Sequence, residues 1–262
     1  MAADSPMNVY WLEQAVTEVP ERDDWLSRAE AEVLSSMKFV KRRSDWRLGR
    51  WTAKNAVALC LGAHRDLQAL QKIEIRASLS GAPEVFYGGE PAPFSISLSH
   101  REGLGACAVG PASVALGCDL EFIEPHSETF VADYFSAEEQ SVIAAASPRD
   151  RDAFLALFWS AKESALKALR EGLRLDTRSV VVELGDTRFS QPDSWNPLRV
   201  CCSNGQTFLG WCNQSGGYVR TMLAASPSQA PIFLSQSRDR GEDSRTSLDV
   251  RHAGHISHFV QK

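Results

Sequence analysis

No apolar run in this 262-residue chain approaches the roughly 18 residues that a membrane span needs, so a membrane protein is not expected. Its six cysteines (Cys60, Cys107, Cys118, Cys201, Cys202 and Cys212) contain no CxxC pair and no zinc-type spacing. They read as reduced core thiols of a cytoplasmic protein. The opening stretch MAADSPMNVYWLEQ lacks both a basic start and a long apolar segment, so no secretory leader is expected. Positive charge is also in short supply. A net charge of -5 disfavours a general nucleic-acid binder. What remains is the composition of an ordinary globular protein, 44% hydrophobic and 23% charged, long enough for one large domain or two small ones, with a monomer expected. One basic cluster, KFVKRR at 38–43, suits a small phosphorylated ligand or an acidic protein, or else a solvated helix face.

Along the chain, periodicity predicts a short strand at 8–13 and helices at 23–37 and 41–62, the second ending at Gly62. Strands follow at 72–78, 94–100, 105–110 and 113–121, with a Gly/Pro turn region at 80–93. Helices are predicted at 136–146 and 150–172, then four short strands to about Ser226. From Pro227 to Lys262 the chain turns polar, and this tail is expected to be largely disordered or only loosely attached.

The chain also echoes itself. WTAKNAVALCLG begins at Trp51, and WSAKESALKALR begins at Trp159, with four of twelve positions identical. Helices share Ala, Leu and Lys by chance, but Trp-x-Ala-Lys twice, each time ahead of several strands, points to two related halves. Where the second copy has Glu163 and Lys167, the first has Asn55 and Leu59. A duplicated fold with chemistry in one copy would leave this trace.

Three short motifs carry candidate chemistry. In GCDLE (117–121), strand alternation puts Leu116, Cys118 and Leu120 on one face and Gly117, Asp119 and Glu121 on the other. Two carboxylates that close resist burial unless a cation compensates, and Mg²⁺ with its oxygen ligands fits, with Gly117 leaving room for a ligand. An edge strand running into solvent at Glu121 is the structural alternative. In WSAKESALKAL, Glu163 and Lys167 share a helix face, either as an ordinary surface ion pair or as a pair at the edge of a buried face. SISLSH (95–100) ends a strand in Ser99 and His100, both suited to phosphate. Adjacent strand residues point to opposite faces, so Ser99 and His100 are poorly placed as a nucleophile–base pair.

The order of the three, SxSH, GxDxE, then WSxKExxxK, resembles the surfactin-type (Sfp-like) 4'-phosphopantetheinyl transferase family. The basic stretch RRSDWRLGR (42–50) and the turn GAPEVF (81–86) resemble further elements of that family, although some members carry lysine where this chain has Ala82. The resemblance runs from about Trp11 to Ser226. It implies an α+β fold of two pseudo-symmetric halves, residues 1–116 and 117–226, with the active site in the cleft between them. It implies Mg²⁺-dependent transfer of 4'-phosphopantetheine from coenzyme A to a serine of an acyl or peptidyl carrier protein, releasing 3',5'-ADP. Under that resemblance Asp119, Glu121 and Glu163 are the expected metal ligands. Glu163, Lys167 and His100 are the expected catalytic residues, with Glu163 as a possible base on the carrier serine. Arg43, Arg50, Ser99, His100, Lys162 and Lys167 are expected to hold coenzyme A. Arg170 and Arg174, with Leu173 and Leu175, form an expected docking edge for the carrier. A metal-dependent phosphoesterase acting on a small nucleotide needs the same carboxylates and stands as the alternative. A binding module without catalysis is disfavoured by the presence of Glu163 and Lys167.

Overall fold

Two antiparallel sheets, built from consecutive stretches of chain, repeat one strand order in this computed structural model, which describes residues 6–63, 66–170, 175–183 and 193–235. The first stretch runs β1 (Tyr10–Ala15), α1 (Arg28–Ser36), α2 (Val40–Cys60), α3 (Leu67–Lys72), β2 (Ile73–Ala77), β3 (Pro83–Tyr87), β4 (Glu90–Arg101) and β5 (Leu104–Pro111). The second runs β6 (Leu116–Phe122), α4 (Glu128–Tyr134), α5 (Ala137–Ala145), α6 (Arg151–Leu169), β7 (Val180–Glu183), β8 (Asn196–Cys202), β9 (Thr207–Ser215) and β10 (Tyr218–Ala224). Apart from a short sixth strand that joins the outer edge of β1 in parallel, the sheet orders are β1-β5-β4-β3-β2 and β6-β10-β9-β8-β7, so each half places its first strand beside its last. The fold is mixed α+β and built as two like halves. No described helix is long and apolar enough to cross a membrane.

The repeat goes down to single side chains. Ser27 caps α1 and Ser136 caps α5, each in a reciprocal capping box with a glutamate three residues on, Glu30 or Glu139. Each glutamate then reaches a strand amide, Glu30 accepting from Ile75 N at 3.1 Å and Glu139 from Val182 N at 3.0 Å. Each also meets the lysine of the Trp-x-Ala-Lys motif, Glu30 pairing with Lys54 and Glu139 with Lys162. Both lysines are fully buried. The motif tryptophans match as well: Trp51 meets Trp25 edge-on at 5.1 Å, and Trp159 meets Tyr134 at 5.2 Å.

The halves share a core. Leu116, Cys118 and Leu120 of β6 pack with Met222 of β10, and with Trp11, Ala106 and Ala108 from β1 and β5. A fork closes this junction at its edge, where Arg220 of β10 grips the Glu13 carboxylate of β1, with 2.9 Å between Nη2 and Oε2. All six cysteines are free thiols, and burial pushes those of Cys60 and Cys212 up to about 12.

Two expectations change here. Gly117 does not make room for a ligand. A Cβ on it would lie 1.8 Å from the Ser164 carbonyl oxygen, so its bare backbone is what lets α6 lie against β6. Gly117→Ala should therefore cost about 3 kcal/mol or prevent folding, as read by denaturant unfolding. The expected disordered tail is docked over its first residues. β11 (Ile232–Phe233) pairs in parallel with β1, and Leu234 packs on the first-half core. A short apolar run, Pro231 to Leu234, was outweighed in the sequence by its polar flanks. Residues 236–262 lie outside those described.

Candidate functional site

Three elements converge where the two halves meet. β6 is the edge strand of its sheet, and its free edge turns towards β4: Cys118 N donates to Ser97 Oγ at 2.8 Å, and Cys118 Sγ donates to the Ser97 carbonyl at 3.0 Å. This tie sets Ser99 opposite Asp119. Ser99 Oγ donates to Asp119 Oδ1 at 2.7 Å, and Lys167 Nζ, from α6, donates to the same oxygen at 2.7 Å. Lys167 also reaches the Cys118 carbonyl at 3.1 Å. Asp119 is only 3% exposed, and its second oxygen, Oδ2, is buried with no hydrogen-bond partner. A buried carboxylate oxygen left open is costly unless a cation or donor fills the place.

Glu121 sits two residues on, on the same face. Burial, and then the neighbouring Asp119 charge, push its carboxyl up to about 7, against the pull of Arg101. Arg101, at the end of β4, lies 3.5 Å from Glu121 and also pairs with Glu124. Glu163 is half-buried one turn before Lys167, and burial raises its carboxyl, with Asp119 adding to this and Lys167 opposing it. Burial works to lower the Lys167 ammonium, but the charge and hydrogen bond of Asp119 together with Cys118 and Glu163 outweigh it, and the net shift is upward. His100 is half exposed, with Nε2 3.8 Å from Asp45 Oδ2. Burial lowers its pKa; Asp45 pulls it back up, while Lys167 and Lys41 push it further down.

Asp119, Glu121 and Glu163 thus feel one another's charge, but they are not a closed cage. Among the described residues no three His, Cys, Asp or Glu side chains form a group able to hold a metal ion. The donor chemistry still fits a hard cation: carboxylate oxygens, one of them buried and open, with two neighbours reluctant to ionise unaided. Magnesium commonly uses one or two carboxylates and completes its shell with water and phosphate oxygens.

A groove of about 380 Å³ opens beside this centre. Arg50 and Arg76 line it from the first half, together with the turn Ser80–Gly81–Ala82, and Lys167 and Arg170 line it from the second. No carboxylate lines it, in a chain of net charge -5. A larger concavity of about 1390 Å³ is lined by residues of α5, α6 and β7 and by none of Ser99, His100, Asp119, Glu121, Glu163 or Lys167.

The other expected residues fall elsewhere or fall short. Lys162 does not face the site. It is fully buried and donates to the Thr177 carbonyl at 2.7 Å and to that of Val180, besides pairing with Glu139 at 2.8 Å, so its three donors are committed to the scaffold. Arg43 closes the end of α1, donating to the Leu34 carbonyl at 2.6 Å and more weakly to that of Met37. Arg50 does line the groove, stacked 4.8 Å from the Trp46 ring, with Nε buried and without a hydrogen bond. Of the expected docking edge, Arg170 lines the groove and Leu175 packs on the second-half core. Leu173 and Arg174 lie outside the described residues. Arg101 and Arg76 were missed. Arg101 directly follows the SISLSH motif, and Arg76 occupies an alternating strand where nothing local marks it.

Residues 115–219 match a family model described as ACPS, the 4'-phosphopantetheinyl transferase superfamily. No curated protein matches the chain. Several solved structures are similar. One is a crystal structure of a holo-(acyl-carrier-protein) synthase from Bacillus anthracis str. Ames in complex with CoA (3',5'-ADP), at 18% identity and a TM-score of 0.34, covering 40% of this chain and 96% of that one. Another is holo-ACP-synthase from Plasmodium yoelii, at 14% identity and a TM-score of 0.34, covering 41% and 94%. A third is holo-[acyl-carrier-protein] synthase from Thermotoga maritima, at 20% identity and a TM-score of 0.33, covering 50% and 76%.

Proposed function

We propose that the protein transfers 4'-phosphopantetheine from coenzyme A to a serine of an acyl or peptidyl carrier protein. One observation carries this reading: a buried Asp119 fixed by Ser99 and Lys167, with Oδ2 left open, where Lys167 also lines a groove with three arginines. An anionic donor would lie in the groove with its pyrophosphate at Asp119, and the family match over 115–219 supports the same chemistry. Asp119 and Glu121, with Glu163 beside them, would hold Mg²⁺, which would neutralise pyrophosphate charge when bound.

The residues divide the work by position. Lys167 and His100 face the charge that builds on the leaving phosphate, and Arg50 faces the nucleotide end of the groove. Glu163, whose carboxyl burial pushes up and so makes a better proton acceptor, takes the proton of the carrier serine. The serine oxygen bonds to the phosphorus bearing the pantetheine arm. The bridging P–O bond breaks, and its electron pair leaves on 3',5'-ADP. Arg101 holds Glu121 in place through its 3.5 Å contact.

The test is incubation with Mg²⁺, coenzyme A and a panel of apo carriers, each carrier weighed by intact mass spectrometry. The expected result is carrier-dependent 3',5'-ADP release together with a heavier carrier. Nucleotide hydrolysis without any carrier would replace this reading with the phosphoesterase. The pH profile is part of the same prediction. Glu121 must be a carboxylate to meet a cation, so the Mg²⁺-dependent rate should rise as pH passes about 7. The stability sign runs the other way. A carboxyl raised from 4.5 to about 7 contributes stability that is fully present below 4.5 and lost as pH rises through 7. Mg²⁺ should therefore raise the melting temperature more at pH 8 than at pH 6, and Glu121→Gln should flatten that difference.

A further inference from the structure

The two repeat helices end differently. In the first copy the position after Leu61 is Gly62, at φ +69°, the left-handed conformation that glycine adopts without strain. The matching position in the second copy is Arg170, at φ +59°. Its backbone amide still closes the helix, donating to the carbonyls of Leu166 and Lys167. An arginine there strains the backbone where glycine would not, so local stability does not explain the choice. A basic residue does suit the negative end of a helix dipole, but a cation anywhere in the last turn supplies that, and Lys167 is already present.

The side chain offers the reason. Arg170 is exposed and lines the cationic groove, facing Arg76 and Arg50 from the other half. Along α6 the order is Glu163, Lys167, Arg170. The first two belong to the reacting end, where Lys167 meets Asp119 at 2.7 Å. Three residues further on is about 4.5 Å along the helix axis, beyond the reacting phosphates and towards the rest of the donor. Arg76 is held by Glu74 at 2.6 Å and Arg50 lies 3.9 Å from Glu30, whereas Arg170 meets no carboxylate among the described residues and no carboxylate lines the groove itself.

We infer that Arg170 is a specificity residue, held in a strained backbone so that its guanidinium, the one groove arginine with no carboxylate partner among the described residues, grips a phosphate monoester on the nucleotide end of the donor. The inference rests on coenzyme A as donor, which makes that group the 3'-phosphate. Arg170 then discriminates coenzyme A from 3'-dephospho-coenzyme A, and the strain is the cost of that selectivity.

Arg170→Gly separates the two roles, because it relaxes the backbone while removing the cation. Calorimetric titration with 3',5'-ADP and with 5'-AMP reads binding without any carrier protein. The Kd for 3',5'-ADP should rise about tenfold in the variant, with that for 5'-AMP unchanged, as expected on losing one charge-assisted contact. The melting temperature should rise by about 2–4 °C as the strain is relieved. Arg170→Lys should keep part of the preference, and Arg170→Asn, which tolerates the left-handed backbone, should lose it as the glycine does. In transfer assays KM for coenzyme A should rise and KM for 3'-dephospho-coenzyme A should not. An unchanged ratio of the two dissociation constants in Arg170→Gly overturns the assignment, as does a wild-type protein that binds 3',5'-ADP and 5'-AMP equally. Failure of transfer to every carrier, with the nucleotide preference intact, counts against the proposed reaction and leaves this assignment standing.

Discussion

Asp119→Asn should reduce phosphopantetheine transfer by about a thousandfold or more while the protein stays folded. The substitution keeps the shape of the side chain and removes only its charge. Asp119 Oδ1 now takes two donors, Ser99 Oγ and Lys167 Nζ, each at 2.7 Å, and Oδ2 is the open oxygen. An amide oxygen can accept both of those bonds, but its NH₂ must then point where a cation is expected. It also leaves the Lys167 ammonium without its counter-charge. The loss in stability should be about 1–3 kcal/mol, because Lys167 keeps the Cys118 carbonyl at 3.1 Å and is partly open to water. Thermal melts would measure that part, and intact-mass assays of the carrier the rest. A well-folded Asp119→Asn that transfers at near the wild-type rate would remove β6 from the reaction altogether. The matched control is Asn55, which stands in the first repeat where Glu163 stands in the second. Its amide donates to the Trp51 carbonyl at 2.8 Å within its own helix, and its replacement should leave the chemical step alone.

Much of the site was legible because strand alternation and helix spacing are local rules. Asp119 and Glu121 could be placed on one face from five letters, and Glu163 with Lys167 from five more. The long helices α2 and α6 were legible for the same reason, and so was the duplication. The five-residue strand β3 was hidden between glycines at 81 and 88, where turn signals at both ends outweighed the strand itself. Helices α3 and α4, of six and seven residues, are too short for periodicity to rise above composition. What a side chain does across the fold was the harder part. Lys162 and Lys167 sit five residues apart on one helix and look alike in sequence, yet one is sealed against Glu139 and the other meets Asp119. The distinction comes from α5 and β6, both remote in the chain. The repeat did hold a clue: Lys54 matches Lys162, and a lysine present in both halves is more simply a scaffold residue than a catalytic one.

That clue yields the second large effect. Lys54→Met and Lys162→Met should each destabilise the protein by about 3–5 kcal/mol, and by similar amounts. Both ammoniums are fully buried, and burial lowers their pKa while the paired glutamate opposes it. Removing Lys162 leaves the Glu139 carboxylate stranded and removing Lys54 leaves Glu30 only the more distant Arg50 at 3.9 Å, since both glutamates are almost wholly buried. The glutamates cannot simply turn to water. Glu30 also holds the amides of Ser27 and Ile75, and Glu139 those of Ser136 and Val182, so each ties a helix start to a sheet edge. Neutralising both partners should recover part of the loss: Lys162→Met with Glu139→Gln should be more stable than Lys162→Met alone, because no bare charge is left inside. The same should hold for Lys54 with Glu30. Urea unfolding of these four variants together with Glu30→Gln and Glu139→Gln alone gives these energies and the coupling within each pair. The surviving folded fraction of Lys162→Met should bind coenzyme A with a KM close to that of the wild type, since its ammonium reaches only Glu139 and two backbone carbonyls. A stable Lys162→Met with a strongly raised KM for coenzyme A would reverse that placement and return Lys162 to the groove.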